Sequence, residues 1–231
     1  MSAINYETKQ LIRDIVTDSL RNSSISPSFS KGKDDDGKES NDKAKESSGP
    51  QIEKELFEAR VVLLSTPVDA KLAHAVNSKL LALERYNDKD PIYLFINSPG
   101  GEVHSGFAIF DCARFVRPPI VTVVTGLAAS MGSIITLCAK PQNRFAFPNS
   151  KILVHQPSIS GMAGSVSDIE IHAKDLLETK NRIIDLYVKE CGRSPDEVKK
   201  ALDRDNWMSA EQAVKWGHIS KIVEHRDDLK F

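Results

Sequence analysis

The chain has 231 residues, 40% of them hydrophobic and 27% charged, with a formal net charge of -1. This supports one sizeable core with an appendage and gives no reason to expect a nucleic-acid partner. No apolar run approaches the ~20 residues of a membrane span, and the first residues lack the basic-then-apolar pattern of a signal peptide. Glu7, Asp14 and Asp18 argue against a transit peptide, and Cys112, Cys138 and Cys191 lack metal spacing, so a cytoplasmic protein with free thiols, no metal and no cofactor is expected.

In chain order, Ile4, Leu11, Ile12, Ile15, Val16 and Leu20 fall on one face of a helix over residues 1–21. Residues 22–50 are rich in Ser, Gly, Lys, Asp and Glu and read as a disordered linker, because so little apolar surface does not repay the entropy of ordering. The folded body is expected over residues 51–231. There Val61–Leu64 reads as a strand, Asp69 to about Arg85 as a helix, and Ile92–Ile96 as a second strand leading to the loop Asn97-Ser-Pro-Gly100-Gly101. A helix from about Ser105 to Val116 stops at Pro118-Pro119. Strands follow near Arg144–Phe147, Ile152–Val154 and Ile219–Val223. Capping boxes mark three later helix starts: Ser167 with Glu170, Ser194 with Glu197, and Ser209 with Gln212. The alternation predicts an α/β domain with a largely parallel sheet.

Its centre is Ile120-Val-Thr-Val-Val-Thr-Gly126-Leu-Ala-Ala-Ser130-Met131-Gly132-Ser-Ile-Ile-Thr-Leu. A β-branched run gives way at Gly126 to small residues, and a second apolar run at helical spacing begins at Ser130, which reads as strand, sharp turn and helix. A serine there has the placement of a nucleophile at an elbow, beside helix N–H groups that lack intrahelical acceptors. The alternative is a plain N-cap. Pro99-Gly100-Gly101 after a buried strand offers bare backbone N–H groups, or is only a turn. His155 ends an apolar strand before Gln156-Pro157, as a general base or as a hydrogen-bonded surface residue. Asp203 and Asp205 are both available as a carboxylate partner for that base, and the residues alone do not choose between them.

Pro-Gly-Gly, Ala-Ala-Ser-Met-Gly, Pro-Asn-Ser-Lys-Ile-Leu-Val-His-Gln-Pro, Asp-Ile-Glu-Ile-His-Ala and Asp-Asn-Trp-Met-Ser-Ala-Glu-Gln-Ala occur in that order. From about Leu56 to Val223 the chain resembles the ClpP family, the serine peptidase subunits of the caseinolytic protease. The resemblance implies Ser130 as nucleophile, His155 as general base and Asp205 as third triad member, with the N–H groups of Gly100 and Met131 as oxyanion hole. It implies a fold of ββα units wound in a spiral, with a projecting handle helix, here from Ser167 to about Lys189 behind a loop from Ser158 to Val166. It also implies two stacked heptameric rings, homo- or hetero-oligomeric, cleaving unfolded polypeptides delivered by an AAA+ unfoldase. Tyr93 and Phe95 match its unfoldase-docking positions, or are ordinary strand packing. The segment Pro50–Phe57 replaces the family's usual axial-loop ending, which lacks its Ser and Arg here. The chain has no phosphate-binding loop, so ATP hydrolysis falls to a partner. Two rivals stand beside this reading: a non-catalytic or regulatory ring subunit, and a crotonase-like acyl-CoA enzyme, whose chemistry needs no serine nucleophile.

Overall fold

The computed structural model describes residues 48–158 and 164–229. The expected helix over 1–21, nearly all of the linker over 22–50, and part of the Ser158–Val166 loop lie outside the described residues. Of the described residues, 48–156 and 184–229 form one compact unit, and 157–158 with 164–183 belong to another. Among them no helix is long and apolar enough to cross a membrane.

The first element is a helix, α1 (Ser48–Glu58), which takes the place of the segment Pro50–Phe57. Strand β1 (Val61–Leu64) follows, then α2 (Ala70–Tyr86), opened by the Asp69 carboxylate accepting from the Leu72 N–H at 2.7 Å. Next come β2 (Ile92–Ser98), α3 (Val103–Phe115) and β3 (Ile120–Ala129). Residues Val61, Tyr93 and Val121 stand in register across β1, β2 and β3, as do Leu63, Phe95 and Val123. Side chains alternate along a strand, so this odd-numbered set shares one face and the even-numbered set, Val62, Leu94, Ile96 and Val124 among them, buries the other. The β-branched residues of β3 suit a strand covered on both faces.

On the side away from β2, strand β3 changes partner midway. Its residues Thr122–Val124 pair with β4 (Arg144–Ala146), while Leu127–Ala129 pair with β5 (Lys151–Val154). The turn between these two partners is tied back by Ser150, whose hydroxyl donates to the Val124 carbonyl at 2.7 Å. From the fork, β4 leads to β7 (Lys221–Ile222) in parallel, and β5 leads to β6 (Asn206–Ser209) in antiparallel. One strand feeding two diverging sheet branches is the spiral α/β architecture expected from the resemblance. A short helix α4 (Met131–Thr136) follows β3 directly.

The long helix α5 covers Val166–Cys191. It opens two residues earlier than the sequence indicates: Ser165 and Asp168, not Ser167 and Glu170, exchange the reciprocal capping bonds, at 3.0 Å and 3.3 Å. The capping boxes at Ser194 and Ser209 form as expected and open α6 (Pro195–Leu202) and α7 (Ala210–Trp216). Deep in the larger unit Arg144, with no solvent exposure, donates to the carbonyls of Ala139, Leu137 and Glu190. It also pairs with the Glu190 carboxylate, which meets Arg114 at 2.7 Å on its other oxygen.

Candidate active site

Ser130 stands between β3 and α4 with φ 51° and ψ -120°. A non-glycine residue enters that region at a cost of about 1–3 kcal/mol, and it is the conformation of a nucleophile elbow. An N-cap serine would accept a hydrogen bond from the first N–H groups of its helix, but the Ser130 side chain makes no such bond. Its backbone N–H instead donates to Leu153 of β5 at 2.9 Å. The hydroxyl is thus left partly exposed at the carboxyl end of two paired strands.

Gly100 lies against this turn. A Cβ there would fall 2.5 Å from the Ala129 carbonyl oxygen, 2.7 Å from Ser130 Cβ and 2.9 Å from the Met131 nitrogen, and φ is 86°. Only glycine satisfies both constraints. The loop is clamped by Val68, whose N–H donates to Gly100 and whose carbonyl accepts from Glu102, each at 2.8 Å. The Gly100 N–H donates to the Ser98 hydroxyl at 3.2 Å, and that hydroxyl donates to Thr66 at 2.7 Å. Met131, first residue of α4, carries an N–H without an intrahelical acceptor, and its side chain is buried beside Gly106. Gly100 therefore lies with its Cα packed against the Ser130–Met131 turn.

His155 follows directly on β5, two residues past Leu153, which receives the Ser130 N–H. It is partly exposed. In the antiparallel β5–β6 ladder Lys151 pairs with Ser209 and Val154 with Asn206. His155 directly follows the β5 end of this ladder and Asp205 directly precedes the β6 end. The corner before β6 is held to the same strand end, since Gln156 donates from its N–H to Leu202 at 2.7 Å and from its side chain to the Asp203 carbonyl at 3.0 Å. Asp203 closes α6 with an exposed side chain 4.0 Å from Arg204. Both carboxylates are exposed; Asp205 lies one residue beyond the end of the ladder, and Asp203 closes α6 on the other side of the corner. Among the described residues no hydrogen bond joins the side chains of Ser130, His155 and Asp205.

Tyr93 is buried in a cluster with Val121, Val123, Val223 and Leu229. Phe95 packs against that cluster edge-on to Phe147, with ring centroids 6.4 Å apart. Leu63 and Phe147 beside it are exposed by 46% and 36%. The apolar surface at this end of the sheet is thus built from Phe95, Leu63 and Phe147, with Tyr93 beneath.

Beneath the serine turn lies a group that sequence reading missed. The Ser133 hydroxyl contacts the Ser130 carbonyl at 2.7 Å and the Tyr187 hydroxyl at 2.5 Å. Tyr187 is packed with Trp216 and His218. Burial pushes the Tyr187 phenol up and the His218 imidazole down to about 3, with the Arg144 charge adding to the latter. Ser133 sits at the helix start that marks the elbow, and its spacing from Ser130 is a signal a sequence reader has to hand. Tyr187 lies 54 residues further along and gives none.

Comparison with known proteins places these features in a family. The family model for Clp protease matches residues 44–226. The chain is 47% identical over 179 residues to "ATP-dependent Clp protease proteolytic subunit 1" of Chlamydia trachomatis serovar D, covering 77% of this chain and 93% of that protein. The protein of the same name from Chlamydia pneumoniae is 49% identical over 179 residues, covering 77% and 94%, and that of Protochlamydia amoebophila is 43% identical over 181 residues, covering 78% and 88%. A strained serine elbow, a glycine fitted against it and a forked parallel sheet thus come with matches along most of the chain, and the chain belongs to the Clp protease family as a proteolytic subunit of the serine type.

Proposed function

We propose that Ser130, His155 and Asp205 form the catalytic triad of this subunit and that the N–H groups of Gly100 and Met131 form its oxyanion hole. The observation that carries the reading is Ser130 itself: a strained residue whose hydroxyl does no capping, at the end of a strand paired with the one that His155 follows. A serine hydroxyl is a weak nucleophile, so its proton must pass to a base as it attacks. In the proposed cycle the Ser130 oxygen bonds to the scissile carbonyl carbon, the His155 imidazole takes the proton, and the carbonyl electron pair becomes an oxyanion. The imidazolium then gives the proton to the departing amine, leaving an acyl-serine. Water, deprotonated by the same imidazole, releases the acid and restores the serine. Asp205 holds the imidazole tautomer and stabilises its charged form.

For Gly100 to contribute, its N–H must exchange the Ser98 hydroxyl for the oxyanion, which favours the anion because charge-assisted bonds are roughly twice as strong as neutral ones. The side chains of the triad come into hydrogen-bond contact when substrate or neighbouring subunits order the site, as apo sites often tighten only then. The subunit works in two stacked heptameric rings on unfolded polypeptide, delivered by an AAA+ unfoldase that docks at the apolar surface of Tyr93 and Phe95. A cytoplasmic setting suits its three free cysteines.

The test pairs mass photometry with a fluorogenic peptide assay on one purified sample. Ring mass, hydrolysis, labelling of Ser130 by a fluorophosphonate and loss of hydrolysis in Ser130→Ala at unchanged mass are the expected results. Unchanged hydrolysis in Ser130→Ala would remove the triad assignment, and rings with neither labelling nor hydrolysis would identify a non-catalytic subunit.

A further inference from the structure

The Ser130 carbonyl and the Met131 N–H are two ends of one peptide group, and a planar peptide cannot turn one without the other. The carbonyl end accepts from the Ser133 N–H at 3.0 Å, from the Ile134 N–H at 3.3 Å and from the Ser133 hydroxyl at 2.7 Å. The first two come with any helix start, whereas the third depends on one side chain. Each hydroxyl has a single proton. Since Ser133 gives its proton to the Ser130 carbonyl, the Tyr187 O–H must donate to the Ser133 oxygen across their 2.5 Å contact.

The chain of bonds therefore has one direction: Tyr187 to Ser133 to the Ser130 carbonyl. Ser133 is wholly buried and Tyr187 is 1% exposed, so water does not compete for any link. The phenol ring is held by Trp216 at 5.6 Å and 62°, and by His218 at 6.1 Å and 35°. Bonds in series polarise one another, so donation into the carbonyl also makes the N–H at the other end of the peptide a stronger donor.

We propose that Tyr187 and Ser133 are positioning residues for the oxyanion site, locking the Ser130–Met131 peptide by its carbonyl and so aiming its N–H at the reacting centre. The proposal rests on the oxyanion role given to Met131 above. It concerns a group that touches the backbone of the serine but not its hydroxyl, and it places a residue of the long helix α5 in control of the elbow.

Three full-length variants in their native assembly test it: Tyr187→Phe, which keeps the ring stack, Ser133→Ala, and the double variant. Outright loss of an oxyanion donor costs ~10²–10³ in turnover, so a misaimed one is expected to cost about 10-fold in kcat with KM little changed. The affinity for a peptidyl boronic acid, whose tetrahedral adduct occupies the oxyanion site, should fall by the same factor. Affinity for a non-covalent product peptide should not. Because Tyr187 acts through Ser133, Tyr187→Phe should cost nothing further in the Ser133→Ala background. Wild-type kcat and boronate affinity in both single variants would overturn the proposal, as would losses that track loss of ring mass or strike product-peptide binding equally. Hydrolysis surviving in Ser130→Ala would instead overturn the catalytic reading beneath it.

Discussion

Two aspartates two residues apart face the same side of a strand, so alternation alone does not separate Asp203 from Asp205. Their places in the fold differ: Asp205 adjoins the Val154–Asn206 pair that ends the ladder next to His155, while Asp203 still belongs to the end of α6. Asparagine at the orienting position leaves the imidazole in the wrong tautomer, a loss of ~10⁴ in turnover in the chymotrypsin-type case. Asp205→Asn is therefore expected to lose hydrolysis of a fluorogenic peptide on about that scale, and Asp203→Asn to retain it. The reverse result would shift the carboxylate assignment by two residues. His218 gives a second prediction, this one about stability. Its imidazole is fully buried, and its pKa lies near 3 against an ordinary value of 6.5, because burial outweighs a hydrogen bond with the Ser133 backbone. The unfolded chain thus binds the extra proton more readily, so this contribution is complete above about pH 6.5 and is lost as pH falls toward 3. The unfolding free energy should drop with falling pH by up to about 1.4 kcal/mol per unit in that window, read from denaturation curves. A His218→Leu variant should flatten this dependence, and an unchanged slope in it would assign the acid sensitivity elsewhere.

Among the elements, α3, β4 and the end of α5 are joined by the Arg114, Glu190 and Arg144 group. Removing one partner of a buried pair leaves an uncompensated charge, typically at ~3–5 kcal/mol. Arg144→Met is expected to destabilise on that scale in urea unfolding, and Arg114→Met much less, since Arg114 remains a third exposed, with 34% of its side chain accessible. Equal small effects would show that the group contributes little. How far such elements can be read in advance depends on whether local residues decide them. The strand, elbow and helix around Ser130 were legible because β-branched residues, small residues and a helical apolar pattern follow one another directly. The end of β3 was not: Gly126 reads as the close of the strand, yet the strand runs to Ala129 because β5 pairs with Leu127–Ala129 and the Asn97 side chain accepts the Leu127 N–H at 3.0 Å. Likewise β6 offers one buried apolar side chain, Met208, in four residues, and it exists through pairing with a strand far upstream. At the start of α5 two capping boxes overlap, and sequence preference for glutamate at the third position favours the wrong one.

At the scale of the whole molecule, the fork in β3 sets the order in which the site comes together. The bond from the Ser130 N–H to Leu153 closes 23 residues (153 − 130), while the β5–β6 ladder closes at least 52 (206 − 154) and must wait for α5 and α6 to form between its strands. Pairings of larger sequence separation pay more chain entropy before they return anything, so they form late. Pulsed hydrogen exchange during refolding should show the amides of β2 and β3, whose first pair closes only 28 residues (120 − 92), protected before those of β6. Protection of β6 first would reverse the order. Under the proposed triad, the pairing that sets Asp205 beside His155 is thus among the last to be made, and an incompletely folded chain carries its serine elbow unarmed. A proteolytic subunit gains from this timing, because newly made copies do not meet a partly folded sibling that is already able to cut them.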